Sequence, residues 1–178
     1  GLPIIEDCCT TFFSQDVNKK VGHYGDFTVY SFPKFFPIQI GGLVVKNDND
    51  VILDNSKIDE KVVRYIKNVL SYHLKNEKEI LSKRIINFKY MQSQFLKYGF
   101  TERIIIDDKI FPTSFLFNNN SIIKNLPGLK EYLYRQGIQC SVFYGEDAFF
   151  VPCHQNMNRI DIDYIVNCIL CYVNKNNK

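Results

Sequence analysis

Two ionisable side chains close apolar runs near the start of the sequence. Asp7 ends Leu2-Pro3-Ile4-Ile5-Glu6-Asp7, and Lys34 follows a second run, Phe27 to Phe32, in the segment Ser31-Phe32-Pro33-Lys34. Open α/β sheets carry their chemistry at the carboxyl ends of strands, so this pattern offers an acid and an amine side by side. Such a pair suits pyridoxal phosphate, which takes a lysine amine as a Schiff base and an acid at its pyridinium nitrogen. Lys34 is the expected amine, because Phe32, Phe35 and Phe36 beside it would desolvate the ammonium and lower its pKa. Asp7 would keep the ring nitrogen protonated, and the Ser31 hydroxyl would reach the phosphate. Each has a plainer alternative. Lys34 would be a lysine with its stem on apolar surface and its head in water, Asp7 a turn-former after a strand, and Ser31 a hydroxyl bonded to local backbone.

These groups need strands to hold them. Leu2 to Cys9 reads as a buried parallel strand, with turns at Gly22, Gly25 and Asp26 before a second strand over Phe27 to Ser31. A third, Leu43 to Lys46, follows Gly41-Gly42, whose missing side chains allow close backbone approach. From Asp54 the period becomes helical. Ser56-Lys57-Ile58-Asp59 resembles a capping box for a helix carrying Val62, Ile66, Val69, Leu70 and His73. A longer helix spans Asn76 to Tyr98, with Leu81, Ile85, Phe88, Phe95 and Leu96 on one stripe and Gly99 as its stop. Strands over Arg103 to Ile106 and Phe111 to Asn118 form an antiparallel hairpin across Asp107-Asp108-Lys109, and Asn118 to Ser121 is a surface loop. Pro127 opens a helix with Leu129, Tyr132 and Leu133 that closes at Gly137, before a strand over Gln139 to Tyr144. After Val151-Pro152 the last helix, Arg159 to Val173, turns Ile162, Ile165, Val166, Ile169 and Tyr172 inward, and 174–178 fray. The polar run Asn47 to Asn55 sets the expected boundary, giving domains 1–50 and 51–178.

Composition narrows the classes. With 178 residues, 46% hydrophobic and 15% aromatic, the chain can bury a core. A formal charge of +3 with the bases scattered among 19 acids describes a solvated exterior rather than a nucleic-acid surface. No apolar run spans a bilayer and no signal-peptide pattern opens the sequence, so the expected location is cytoplasmic, without membrane contact. The six cysteines read as reduced, buried thiols. His23, His73 and His154, with Cys153 beside the last and Cys168 and Cys171 within a helix, lack the spacing of a zinc site, so no metal is expected.

The order of several short motifs resembles the DegT/DnrJ/StrS family of sugar aminotransferases. They are Ile5-Glu6-Asp7-Cys8-Cys9, Val21-Gly22-His23-Tyr24-Gly25-Asp26-Phe27, Ser31-Phe32-Pro33-Lys34 and Gly41-Gly42-Leu43-Val44-Val45. Weaker similarity continues through Phe111-Pro112, Leu129 to Gln139 and Val151-Pro152-Cys153-His154. The resemblance implies the carboxy-terminal part of a fold type I, aspartate aminotransferase-like α/β enzyme. Residues 1–50 would be a remnant of the large domain's sheet and 51–178 a small α+β domain. It also implies pyridoxal 5'-phosphate, a homodimer, an amino donor such as glutamate and a keto-sugar carried on a nucleotide. The chain opens on Gly1 almost within a strand, so it reads as a truncated piece that would bind cofactor feebly and be inactive alone.

The match has departures. Three residues after the aspartate the family usually shows a glutamine reaching the ring oxygen, where this chain has Thr10. The Ser31 to Lys34 spacing is shorter than usual, and the family's Gly-Tyr-Asn-x-Arg segment has no counterpart near Ser71-Tyr72-His73. Members that dehydrate sugars carry histidine at the lysine position, so Lys34 favours transamination. The runner-up is a non-catalytic assembly domain, dimerising through Phe12, Phe13, Phe35 and Phe36 left exposed where the remainder of the fold is missing.

Overall fold

The computed structural model describes residues 2–47 and 58–176. It divides into two compact units, Gly1–Ile80 with Asp107–Phe111, and Leu81–Ile106 with Pro112–Lys178. Packing keeps the helix after the polar run with the first unit, whereas the composition shift set the boundary before it. Most of that run lies outside the described residues.

The first unit holds a three-stranded sheet of β1 (Ile5–Asp7), β2 (Phe27–Ser31) and β3 (Gly42–Lys46), in that order. β1 runs parallel to β2 and β3 antiparallel to it. The Asp26 carboxylate fixes the start of β1 by accepting the Ile4 N–H at 2.7 Å. The expectation of a buried strand over Leu2 to Cys9 is corrected: only three residues pair, and Leu2, Ile4 and Ile5 are exposed. A continuously apolar run implies cover on both faces, but among the described residues β1 is the edge of this sheet and pairs with β2. Gly41 and Gly42 do permit close approach. A Cβ at Gly41, where φ is +96°, would stand 2.6 Å from Ile66 Cδ1, and one at Gly42 2.4 Å from the Tyr30 carbonyl oxygen.

Helix α1 (Glu60–Leu74) is capped by Asp59, whose carboxylate accepts the Lys61 N–H at 2.8 Å. Ser56 and Lys57 of the expected box lie outside the described residues. Ile66, Val69, Leu70 and His73 are half-buried and no residue of α1 is fully buried.

The second unit carries α2 (Glu77–Leu96, whose first turn lies in the first unit), β4 (Thr101–Glu102), β5 (Ser114–Asn118), α3 (Leu126–Arg135), β6 (Ser141–Phe143), β7 (Ala148–Pro152) and α4 (Arg159–Asn176). The strands form an antiparallel sheet in the order β4-β5-β7-β6. Period-two alternation puts Phe115 and Phe117 opposite Val151 and Phe149, with Val142 beside Phe149, so one face collects the apolar side chains. These join Phe88 and Phe95 of α2, Leu129 and Leu133 of α3, and Ile162, Ile165 and Ile169 of α4 in one buried cluster. Residues 103–106 are not a strand; the pairing with β5 falls on Thr101 and Glu102. Nor is Asn118 to Ser121 merely a surface loop. Asn119 is buried; its amide donates to the Ile123 carbonyl and the Asp147 carboxylate, while its Oδ1 accepts the Ile123 N–H.

No helix among the described residues is long and apolar enough to cross a membrane.

Candidate active site

Parallel pairing of β1 with β2 sets Ile5 opposite Phe27, Glu6 opposite Thr28 and Asp7 opposite Val29. Both carboxyl ends therefore fall at the same side of the sheet, with Asp7 closing β1 and Ser31 closing β2. The chain then makes a single 3₁₀ turn, Phe32–Lys34, that Pro33 favours by fixing its own φ. Phe35 and Phe36 both return their N–H groups to the Phe32 carbonyl, at 3.0 and 2.9 Å. The turn drives Phe32, Phe35 and Phe36 inward, leaving Lys34 outside.

The loop feeding β2 is held by Glu6, the neighbour of Asp7 that points to the other face. Its Oε1 accepts the Gly22 N–H at 2.8 Å and its Oε2 the Tyr24 N–H at 2.9 Å, with the Cys8 thiol and Thr28 hydroxyl each at 3.4 Å. The Asn47 amide adds bonds to the Gly22 and Gly25 carbonyls and to Thr28 Oγ1. Burial raises the Glu6 carboxyl, but the Gly22 and Tyr24 amides and the Cys8 thiol outweigh it and hold the group below its ordinary value. This network sets the height of β2 against β1, and hence of Ser31 and Lys34 against Asp7.

Asp7 is exposed, and its Oδ1 accepts the Cys9 N–H at 2.9 Å. The turn-forming reading is thus met, while the carboxylate keeps capacity for another donor. Hydrogen bonding from the Cys9 thiol, then from the Cys9 amide, lowers the Asp7 carboxyl. The Asp7 bond and burial in turn raise the Cys9 thiol, while the charge of Lys34 pulls it the other way. Ser31 is half-buried and extended, and its hydroxyl does not cap the following turn. Thr10 is exposed in the turn closed by the Thr11 N–H to the Cys8 carbonyl.

Two expectations about the aromatic neighbours are corrected. Lys34 is exposed rather than desolvated, with Phe32, Phe35 and Phe36 buried beside it and each ring packed against Phe12. Nor do Phe12, Phe13, Phe35 and Phe36 form an exposed docking face. Phe35 and Phe36 are 1% and 3% exposed, with Phe12 edge-on to Phe13, Tyr30 and Phe36 at centroid separations of 4.8, 5.5 and 5.4 Å. Among the described residues no group of three His, Cys, Asp or Glu side chains is placed to hold a metal. Cys9 and Glu6 were not singled out in the sequence.

The model of the DegT/DnrJ/EryC1/StrS aminotransferase family matches residues 1–59. No curated relative matches the sequence. Among solved structures the chain is similar to a DegT DnrJ EryC1 StrS aminotransferase from Brucella abortus, at 17% identity and a TM-score of 0.67 over 97% of this chain and 57% of that one. It is also similar to Helicobacter pylori PseC, an aminotransferase involved in the biosynthesis of pseudoaminic acid, at 20% identity and 0.69 over 98% and 60%. A third is the Escherichia coli GDP-4-keto-6-deoxy-D-mannose-3-dehydratase with bound hydrated PLP, at 18% identity and 0.59 over 94% and 60%. The chain thus spans under two thirds of the length of these structures. Residues 1–59 carry the sequence pattern of the DegT/DnrJ/EryC1/StrS aminotransferase family, and the chain carries an α/β fold matching part of the pyridoxal-phosphate-dependent aminotransferase structures.

Proposed function

We propose that this chain is the carboxy-terminal part of a cytoplasmic, homodimeric sugar aminotransferase that uses pyridoxal phosphate to move an amino group from glutamate to a nucleotide-linked keto-sugar. The observation that carries the reading is that Asp7, Ser31 and Lys34 follow the carboxyl ends of two parallel strands within the segment that matches the family. Their donor set fits the cofactor: an amine for an aldehyde, a carboxylate for a pyridinium, a hydroxyl for a phosphate. When bound, the cofactor supplies a ring that takes up the electrons released as a C–H bond breaks. Lys34 would bind the aldehyde through Nζ and, once displaced by the donor amine, hold the proton moved at the substrate carbon. Asp7 would keep the ring nitrogen protonated and orient it, and Ser31 would hydrogen-bond the phosphate. Thr10, where the family usually carries glutamine, is proposed as a shorter contact at the ring. Residues 1–50 serve as the cofactor-binding part and 51–178 as the small domain.

The exposure of Lys34 agrees with an amine whose cover comes from the remainder of the fold. Expressed together with the coding sequence upstream of Gly1, treated with pyridoxal phosphate and reduced with borohydride, the protein is expected to carry the label on the Lys34 peptide. Lys34→Ala should lose both the label and the yellow absorbance. Label distributed over other lysines, with the Lys34 peptide unmodified, would exclude the assignment.

A further inference from the structure

The loop that leaves Asp7 is pinned at both ends. Cys8 continues the β1-β2 ladder by giving its N–H to the Val29 carbonyl at 2.9 Å. Two tight turns follow, closed by the Thr11 N–H on the Cys8 carbonyl at 3.1 Å and the Ser14 N–H on the Thr11 carbonyl at 2.8 Å. The far end is held by a segment distant in sequence, Asp107–Phe111, which packs with the first unit. Buried Ser14 accepts the Phe111 N–H through Oγ at 3.0 Å, and the Gln15 N–H goes to the Lys109 carbonyl at 3.0 Å. Between these anchors stands Phe12. Its ring lies edge-on to Tyr30, which precedes Ser31, and to Phe32, which follows it, at centroid separations of 5.5 and 5.9 Å. It also meets Phe35 and Phe36, the two residues after Lys34, at 6.2 and 5.4 Å. One ring thus packs against residues that flank both Ser31 and Lys34, from a loop that starts at the Asp7 strand end.

We propose that Phe12 is the positioning residue of the Ser31 to Lys34 segment, a wedge through which the loop from Asp7 fixes the place of the turn that carries the amine. This rests on the reading of Asp7, Ser31 and Lys34 as contacts of the cofactor. Under that reading one rigid ligand must meet groups on two different strands, and a drift of about 1 Å between them costs on the order of a hundredfold in rate. The turn closes on the Phe32 carbonyl, which takes the N–H groups of Phe35 and Phe36. A single 3₁₀ turn is a weak element by itself. Aromatic packing reinforces it, because an edge-to-face pair favours a particular distance and tilt. Phe13 backs the wedge, edge-on to Phe12 at 4.8 Å and to Phe35 at 5.4 Å.

The first test uses this chain without cofactor. Hydrogen exchange is read by NMR in the unmodified chain, in Phe12→Leu and in Phe117→Leu, a core substitution in the second unit. Phe12→Leu is expected to speed exchange of the Phe35 and Phe36 amides about tenfold or more and to leave the Cys8 amide at its starting rate, while Phe117→Leu changes none of the three. Unchanged exchange at Phe35 and Phe36 overturns the proposal, since the turn then holds without the wedge. Equal acceleration at Cys8 overturns it too, because the ring would then serve the unit as a whole and not the turn. The second test uses the longer polypeptide of the borohydride experiment. The pyridoxal phosphate concentration that half-labels Lys34 should rise about tenfold or more in Phe12→Leu and stay in place in Phe117→Leu. No rise overturns the positioning role. A Lys34 that takes no label in the unmodified polypeptide removes the cofactor reading, whereas exchange at Phe35 and Phe36 still decides whether Phe12 holds the turn, so the two failures are distinguishable.

Discussion

Glu6 and Asp7 are adjacent carboxylates whose environments separate their work. Strand geometry sends them to opposite faces, one into a cage of amides and hydroxyls and the other to the exposed strand end. Glu6→Gln tests the cage, because glutamine imitates a protonated carboxyl: it keeps one acceptor oxygen and turns a donor towards the Tyr24 N–H or the Gly22 N–H. The carboxyl is held below its ordinary value of 4.5, so its contribution to stability is present above that value and lost as pH falls through the lower folded value. Glu6→Gln is therefore expected to lower the unfolding midpoint at neutral pH, with the gap to the unmodified chain closing on acidification below about 4.5. Denaturant titrations at several pH values read this directly. A gap independent of pH would assign the loss to packing instead of charge.

Among the elements, those with a clean period were the ones legible in the sequence. α4 and α3 present their expected faces, with Ile162, Ile165, Val166, Ile169 and Tyr172 buried in the first and Leu129 and Leu133 in the second. α2 falls within two residues of its expected bounds, but Leu96 of its expected stripe is exposed and the buried stripe contains Arg84 and Asn87, which a hydropathy pattern assigns to solvent. Arg84 instead gives its Nη1 to the Pro112 carbonyl at 2.8 Å and Asn87 its amide to the His154 and Met157 carbonyls. β7 escaped notice because Pro152 at its end reads as a break, although that residue closes the strand. The Asn119 hub escaped because a run of asparagines has loop composition whether or not one of them is buried. Asn119→Ala should strand the Ile123 N–H and the Asp147 carboxylate and cost about 1–3 kcal/mol, well above the roughly 0.5 kcal/mol of an ordinary surface change. Phe117→Ala, in the fully buried aromatic layer, should cost about 3–5 kcal/mol. Equilibrium unfolding of both variants checks the order, and an Asn119→Ala variant as stable as the unmodified chain would return the segment to a plain loop.

At the scale of the whole molecule the two units differ in how completely they bury themselves. The second closes a continuous core between its sheet and α2, α3 and α4. The first leaves Leu2, Ile4 and Ile5 exposed on β1 and beside it, and Leu43 and Val44 on β3, while its buried apolar side chains concentrate in the Phe32, Phe35 and Phe36 cluster. Backbone amides open at free energies set by local burial and pairing, so the units should separate in hydrogen exchange. Amides of β5, β7 and α4 are expected to exchange slowest. Those of Ile5 to Asp7 should be among the fastest in any strand, since β1 has three residues and one neighbour. If the proposed parent enzyme supplies a further layer or strand against β1, the longer polypeptide should slow exchange at Ile5 to Asp7 and leave β5 and β7 unchanged. Equal β1 exchange in both lengths would mean that this edge is exposed in the parent as well. The apolar residues of β1 would then need another explanation than burial by the rest of the same fold.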